Sequence, residues 1–349
     1  MFVPPVRRVA FALAVLVLAA MGMGRAQAGP AGFRLLKEIP IPGPGGWDYL
    51  TVDDGARRLY VSHATEVVVI DLKTMSVLGT IPDTLGVHGI ALAPDLGRAF
   101  VSNGREAKVS IVDTFTLKTL SKVDTGENPD AILYEPKHKE VYAFNGRGKS
   151  ATVFQAATGK PVATIALPGK PEFAVEDAEI GRIYNNIEDR NVVAVIDAGK
   201  HEVVATWPIA PGEAASGMAI DLAHHRLFLG CENQMMVVMD SRSGKVVATV
   251  PIGKGVDANA YDPATGLAFS SNGEGNVTIV KEVKPDKFKI IQTLTTEPRS
   301  RTMALDPRTH VIYVPAAGFE PAPPPTTEHP RPRPQVIPGS MRVLVYGTR

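Results

Sequence analysis

Seven positions of this chain gather chemically active side chains at a regular spacing: Asp48, His88, Asp130, Glu172, Ser216, Asp257 and Arg301. Six of the seven are ionisable. Carboxylates and an imidazole brought to one point could hold a divalent cation, with oxygen ligands suiting Ca²⁺ or Mn²⁺ and histidine admitting Zn²⁺. The same groups could do acid–base work, His88 and Asp130 moving protons while Arg301 steadies a developing oxyanion. They could equally form the recognition surface for a small ligand or a protein. A second column, His63, Asn103, Asn145, Ile187, Cys231, Asn272 and Ala316, follows each member of the first by fifteen residues. His63 joins Asp48, His88 and Asp130 as a candidate metal ligand. Trp47, beside Asp48, is a candidate contact for a ligand's apolar part or, equally, for the Pro-rich segment of residues 316–340. The plain alternative is that such positions are polar because water fills the space they face.

Only a repeat can place these residues together. An aromatic residue inside a Val/Ile-rich run recurs as Tyr60, Phe100, Tyr142, Tyr184, Phe228, Phe269 and Tyr313, at steps of 40–44 residues. Each lies twelve after a member of the first column and three before a member of the second. Around the aromatic, two short runs precede and follow, separated by Gly, Pro or Asp, as in "HGIALAPDLGRAFVSNG" (88–104). Four short strands per unit and seven units predict an all-β, seven-bladed propeller. The last unit holds only three strands, ending in "MRVLVYG" (341–347). Its fourth is expected from "FRLLKEIPI" (33–41), so that one blade joins both chain ends and no sheet edge stays open. The innermost strand of each blade should line the channel, and both columns should face the same mouth.

The tetrads that begin at each aromatic read YVSH, FVSN, YAFN, YNNI, FLGC, FSSN and YVPA. They resemble those of the YVTN repeat family, the YncE-like periplasmic seven-bladed β-propellers, over essentially all of the chain after its first thirty residues. The resemblance implies the fold. It leaves the activity open, because that group and its relatives include binding proteins, parts of redox enzymes, lactonase-like enzymes and a branch linked to single-stranded DNA.

Residues 1–28 carry Arg7 and Arg8, an apolar run and Ala26-Gln27-Ala28, the layout of a cleavable secretory signal, with residues 29–349 as one propeller domain. The apolar run is shorter than the roughly 20 residues of a spanning helix, so no membrane span is expected after cleavage. A periplasmic or secreted protein follows. Cys231 is the only cysteine, which rules out an intrachain disulfide. It also leaves no CxxCH for covalent haem. Net charge is +1, and strand binding needs a basic groove with stacking aromatics, so the acidic mouth disfavours nucleic acid. Neither a Walker loop, a Rossmann fingerprint, HExxH nor GxSxG occurs.

Residues 316–340 interrupt blade seven with a Pro-rich stretch, expected as an extended or disordered solvated loop, or as a lid or docking segment to which Arg331 and Arg333 lend a basic spot. The Asp residues that end third strands (Asp71, Asp113, Asp197, Asp240) are expected to cap turns. His224 and His225 fall in a turn on the opposite face. The resulting expectation is a monomeric binding or interaction module for a small polar ligand or a periplasmic protein. A lactonase-like hydrolase or lyase with a metal-assisted site is the alternative.

Overall fold

Seven four-stranded antiparallel sheets succeed one another along the chain in the computed structural model, which describes residues 1–2, 32–324, 326, 332 and 334–348. The expected export signal lies, but for its first two residues, outside the described residues. In blades one to six the four strands follow in chain order from the innermost outwards, as in Val87–Ala93, Arg98–Asn103, Lys108–Asp113 and Lys118–Asp124. The seventh sheet is composite. Its inner strands are Ala304–Asp306, Val311–Ala316 and Arg342–Gly347, and its outermost is Arg34–Pro40 from the other end of the chain. The register pairs Arg34 with Gly347 and Pro40 with Arg342. The closure expected from the missing strand is therefore present.

The second and third strands of each blade are apolar on both faces because each sheet is covered on both sides by its neighbours. Seven apolar clusters result, one between every pair of adjacent blades. The ring-closing cluster joins Leu59, Val61 and Ile70 of blade one to Tyr313, Val343 and Val345 of blade seven. All seven aromatic anchors are buried, none more than 2 % exposed. Two tie blades by their hydroxyls as well: Tyr142 donates to the Ala198 carbonyl and Tyr184 to that of Ser241. Each buried aromatic removes an area whose loss on truncation to alanine costs about 3–5 kcal/mol.

Turn chemistry follows the expected scheme. Asp71, Asp113, Asp197 and Asp240 each accept from backbone amides two and three residues on, through Oδ1 at 2.7–3.1 Å. Cys231 is buried and unpaired, and burial pushes its thiol up to about 12.

The Pro-rich segment differs from a simple solvated excursion. Its two ends fold back on each other, with Phe319 bridging Val336, the Glu320 amide donating to Gln335 and the Ile337 amide to Gly318. The Gly339 amide then donates to the Gly43 carbonyl at 2.9 Å, fixing the pair over blade one. The cause is apolar: Phe319 meets Trp47 at 6.1 Å between ring centroids, and Val336 packs on the core beneath. Arg331 and Arg333 lie outside the described residues.

Candidate functional site

Five of the seven innermost strands lose register with their neighbour at their first residues. The shifts fall between Val87 and Ile90, Pro129 and Ile132, Pro171 and Ala174, Ala215 and Met218, and Val256 and Ala258. Each contains one first-column residue: His88, Asp130, Glu172, Ser216 or Asp257. A bulge frees a residue from the ladder and re-aims its side chain, and here it turns five polar groups to the mouth of the channel. Asp48 and Arg301 reach it from the coil ahead of the two short inner strands, Leu50–Asp53 and Ala304–Asp306.

The backbone under these groups is fixed by hydrogen bonds from one blade to the next. Thr51 donates to the Ile90 carbonyl, Ser102 to that of Asp130, Asn186 to that of Ser216, Ser271 to that of Ser300 and Thr302 to that of Asp48, at 2.6–3.1 Å. Most of these donors stand two residues after an aromatic anchor, at the third letter of the tetrad.

At the mouth the first column forms a contact network. His88 Nδ1 donates to Asp48 Oδ2 at 2.5 Å and lies 3.7 Å from Asp130 Oδ1. Arg301 Nε contacts Asp257 Oδ2 at 2.9 Å, and Ser216 Oγ donates to Asp257 Oδ1 at 2.7 Å. Glu172 is met by Lys170 Nζ at 2.6 Å, a lysine also held by Glu188. His88 is seated by Gly104, where a Cβ would stand 2.6 Å from its Nε2.

Tyr49 completes the floor. Its ring meets Phe173 at 5.5 Å, a contact between blades one and four and hence one that spans the channel. Burial, then the charges of Asp130, Glu172, Asp48 and Asp257, raise its phenol well above 10, so it keeps its proton and offers a donor to the acidic well. Lys170 and Tyr49 both escape a search by equivalent positions. A sequence signal for the floor does exist: eleven before each anchor stand Tyr49, Gly89, Ala131, Phe173, Gly217, Ala258 and Thr302, two aromatics among small residues.

The well's electrostatics follow from crowding. Burial raises the Asp130 carboxyl, and the charges of Asp48 and Asp257 add to it against the pull of His88. Burial and Asp130 likewise raise Glu172, against Lys170. Asp257 is raised by burial, which outweighs Arg301. Burial opposes the charge on His88, but its bond to Asp48 and the field of Asp130, Asp48 and Glu172 raise it to about 9. His88 is thus an imidazolium near neutral pH, placed among carboxyls that share few protons and fewer donors.

Among the described residues, Asp48, His88 and Asp130 offer ligand atoms within 4.8 Å of one another. An O₂N set of this kind could hold Mn²⁺ or Zn²⁺ once His88 released its proton, so metal affinity would rise with pH.

The second column does not share this mouth. Its residues end their strands at that side of the ring, but their side chains turn into the blades, because side chains alternate along a strand. Asn103 donates to Ser110, Asn145 to Ser150 and Thr152, and Asn272 to Thr278. His63 is a correction of substance. It is 1 % exposed, neither ring nitrogen makes a hydrogen bond, and its nearest carboxylate is Glu66 at 3.5 Å. Ser62 takes the place that His63 was expected to hold, accepting from the Asp48 amide at 2.7 Å. His63 accordingly leaves the set of ligand and metal candidates. Trp47 is half-buried against Phe319 and looks onto a cleft beside the mouth. His224 is largely exposed and bonded to Asp221.

No protein-family profile matches the chain. Similar proteins are the uncharacterized protein YncE of Salmonella typhi and that of Salmonella typhimurium, each 26 % identical over 148 residues, 41 % of this chain and 42 % of theirs. The seven-bladed beta-propeller protein Rv1057 of Mycobacterium tuberculosis is 40 % identical over 80 residues, 21 % of this chain and 20 % of that protein. The matches thus span less than half the length of these relatives. A chain of Kuenenia stuttgartiensis hydrazine synthase superposes with a TM-score of 0.51 at 16 % identity, over 69 % of this chain and 96 % of that one. That likeness concerns the fold alone. The chain is a seven-bladed propeller distantly related to YncE.

Proposed function

We propose that this chain is a binding propeller of the YVTN-repeat, YncE-like group, exported to the periplasm, which takes a small polar ligand into the well at its mouth. One observation carries the reading. Bulges in successive blades turn His88, Asp130, Glu172, Ser216 and Asp257 to a single opening, floored by Tyr49 against Phe173. Packing alone gives no reason to aim polar side chains there, where carboxyls raised by crowding cost stability rather than add to it. A ligand supplying donors to Asp130 and Glu172 and acceptors to His88 and Arg301 would relieve that cost. Export rests on the basic residues, apolar run and Ala-Gln-Ala of residues 1–28, and an intact mass beginning at Gly29 checks it.

The test is a thermal-shift screen of the intact protein with sugars, polyols, amino acids, Ca²⁺, Mn²⁺ and Zn²⁺. At least one probe should raise the unfolding temperature by several degrees in the wild type and not in His88→Gln or Asp130→Asn. Equal shifts in wild type and both variants would remove the well from the account.

The short Asp48–His88 bond also favours a second reading, a lactonase-like hydrolase or lyase. An imidazolium is a proton donor and not a base, so His88 would serve as the general acid with Arg301 at the oxyanion. Turnover of a lactone panel, lost in His88→Gln, would support it. Turnover unchanged in that variant and in Asp130→Asn would end it.

A further inference from the structure

A cleft of about 570 Å³ lies beside the well, above blades five to seven and against the folded base of the Pro-rich segment. This is within the range of small-molecule sites. One wall is apolar: Trp47, Phe319, Pro334 and Val336. The other is charged and includes Lys254, Arg299 and Arg301.

Three features make the charged wall receptive to an anion. Arg299 and Lys254 form no ion pair among the described residues, and the Arg299 guanidinium lies 5.1 Å from the centre of the Phe319 ring. The contact of Arg301 with Asp257 is through Nε at 2.9 Å, and among the described residues no hydrogen bond is made by the Nη edge of its fork, which suits a second partner. Third, Arg299 has φ +72°, in a turn where equivalent positions with positive φ hold Gly86, Asn128, Ala214 and Gly255. Glycine takes that conformation freely and arginine does not. Ala214 takes it too, so the conformation belongs to the repeat, and what sets this blade apart is the charge that Arg299 brings to the cleft.

Acidic groups also line the cleft, but two are already engaged. Asp257 is held by Arg301 and Ser216, and Glu274 accepts from Asn276. Glu232 remains; burial and then the charge of Glu188 raise its carboxyl, against the pull of Arg301 and Lys254.

We infer that this cleft binds a flat organic anion, an aromatic carboxylate, whose ring packs along Trp47 and Phe319 while its carboxylate pairs with Arg299 and Arg301. The site is distinct from the point where Asp48, His88 and Asp130 meet. A planar carboxylate matches the guanidinium fork in two parallel bonds, and a flat ring suits the single apolar wall that Trp47 and Phe319 form together. The base of the Pro-rich segment is then a wall of a binding site.

The chain has two tryptophans, so Trp47 can report directly, with Trp207 set against Tyr184 within blade four. The experiment titrates 2-naphthoate, and its neutral isostere 2-naphthamide, against the emission of the intact protein, with calorimetry alongside. Naphthoate should quench saturably and bind at least tenfold tighter than the amide. Trp47→Phe should abolish the quench. Arg299→Gln should remove the preference for the acid, and Arg301→Gln should do the same, while His88→Gln leaves naphthoate affinity within twofold. Circular dichroism and unfolding temperature establish that each variant is folded, and Arg299→Lys supplies a second, charge-retaining variant expected to keep part of the preference. Equal affinity for acid and amide, an absent saturable signal by both methods, or a loss in His88→Gln as large as in Arg299→Gln would each overturn the proposal.

Discussion

The two ends of the channel carry the same residue type and put it to opposite use. At the far end the innermost strands finish in Asp53, Glu135, Asp177, Asp221, Asp262 and Asp306, all buried. Five of the six accept hydrogen bonds, and Asp177 meets Arg242 at 3.5 Å. Asp306 takes a paired bond from Arg57 at 2.9 and 2.6 Å, Glu135 takes the amide and the ring of His138, and Asp262 takes His310 and Thr265. Bonds to Arg57 and Thr309 outweigh burial and hold Asp306 below its ordinary value, and bonds from Tyr261 and His224 do so for Asp221. At the mouth, Asp130 has among the described residues no donor nearer than His88 at 3.7 Å, and its carboxyl is raised with those of Glu172 and Asp257. Asp48, Glu172 and Asp257 each have a donor within 3 Å, and at the far end Glu176 is raised to about 7 by burial, Glu135 and Asp177. It is Asp130, short of a close donor and facing the mouth, that marks where the chain holds binding capacity instead of fold stability.

The largest effect expected from this contrast is at the far end. Asp306→Ala takes from Arg57 its paired bond, leaving it Asp54 alone, removes the acceptor of the Arg308 amide and Thr309, and should cost about 3–5 kcal/mol in urea unfolding. A loss under about 1 kcal/mol would erase the distinction between the two ends.

Next in size is the pH profile. Asp306 and Asp221 have depressed folded values, so their stabilisation is present above the ordinary range near 3.8 and disappears as pH falls through it. His88 has a raised folded value, so its contribution is complete below 6.5 and disappears as pH rises through about 9. The raised Asp130 and Glu172 act with the same sign, since the fold holds their protons longer than the unfolded chain does. The acid limb of the stability curve therefore belongs to the far end and the alkaline limb to the mouth. His88→Gln should flatten the limb between pH 6.5 and 9 by about 2 kcal/mol and leave the acid limb in place. A wild-type curve level across that window would contradict the assignment.

The smallest effect is at the well itself. Asp130→Asn removes a crowded carboxylate without changing shape, and at pH 8 should leave stability within about 1 kcal/mol of wild type or raise it. A loss as large as that of Asp306→Ala would give Asp130 a structural role.

Much of the fold was legible because propeller packing repeats its demands. Every blade needs one large aromatic between its neighbours, so the spacing of Tyr60 to Tyr313 yields the count, and the strandless outer edge of blade seven yields the closure. The charged column was legible for the complementary reason: positions that keep polarity while changing charge type do not answer to packing. His63 was misplaced because a three-residue offset locates the end of a strand and not the direction of its side chain. Tyr49 and Phe173 were missed because they act as a pair across the ring, visible only when one column is read against itself. The base of the Pro-rich segment was read as solvated because Phe319 and Val336 meet across seventeen residues, and no local pattern announces that pairing.

The account's central claim is that the mouth holds a ligand. The most direct measurement is a high-resolution crystal structure of the protein purified from its native cells. It should show density too large for water within hydrogen-bonding distance of both His88 and Asp130, above the ring of Tyr49. A well holding only ordered water, in protein whose native mass equals that of the bare chain, would contradict it.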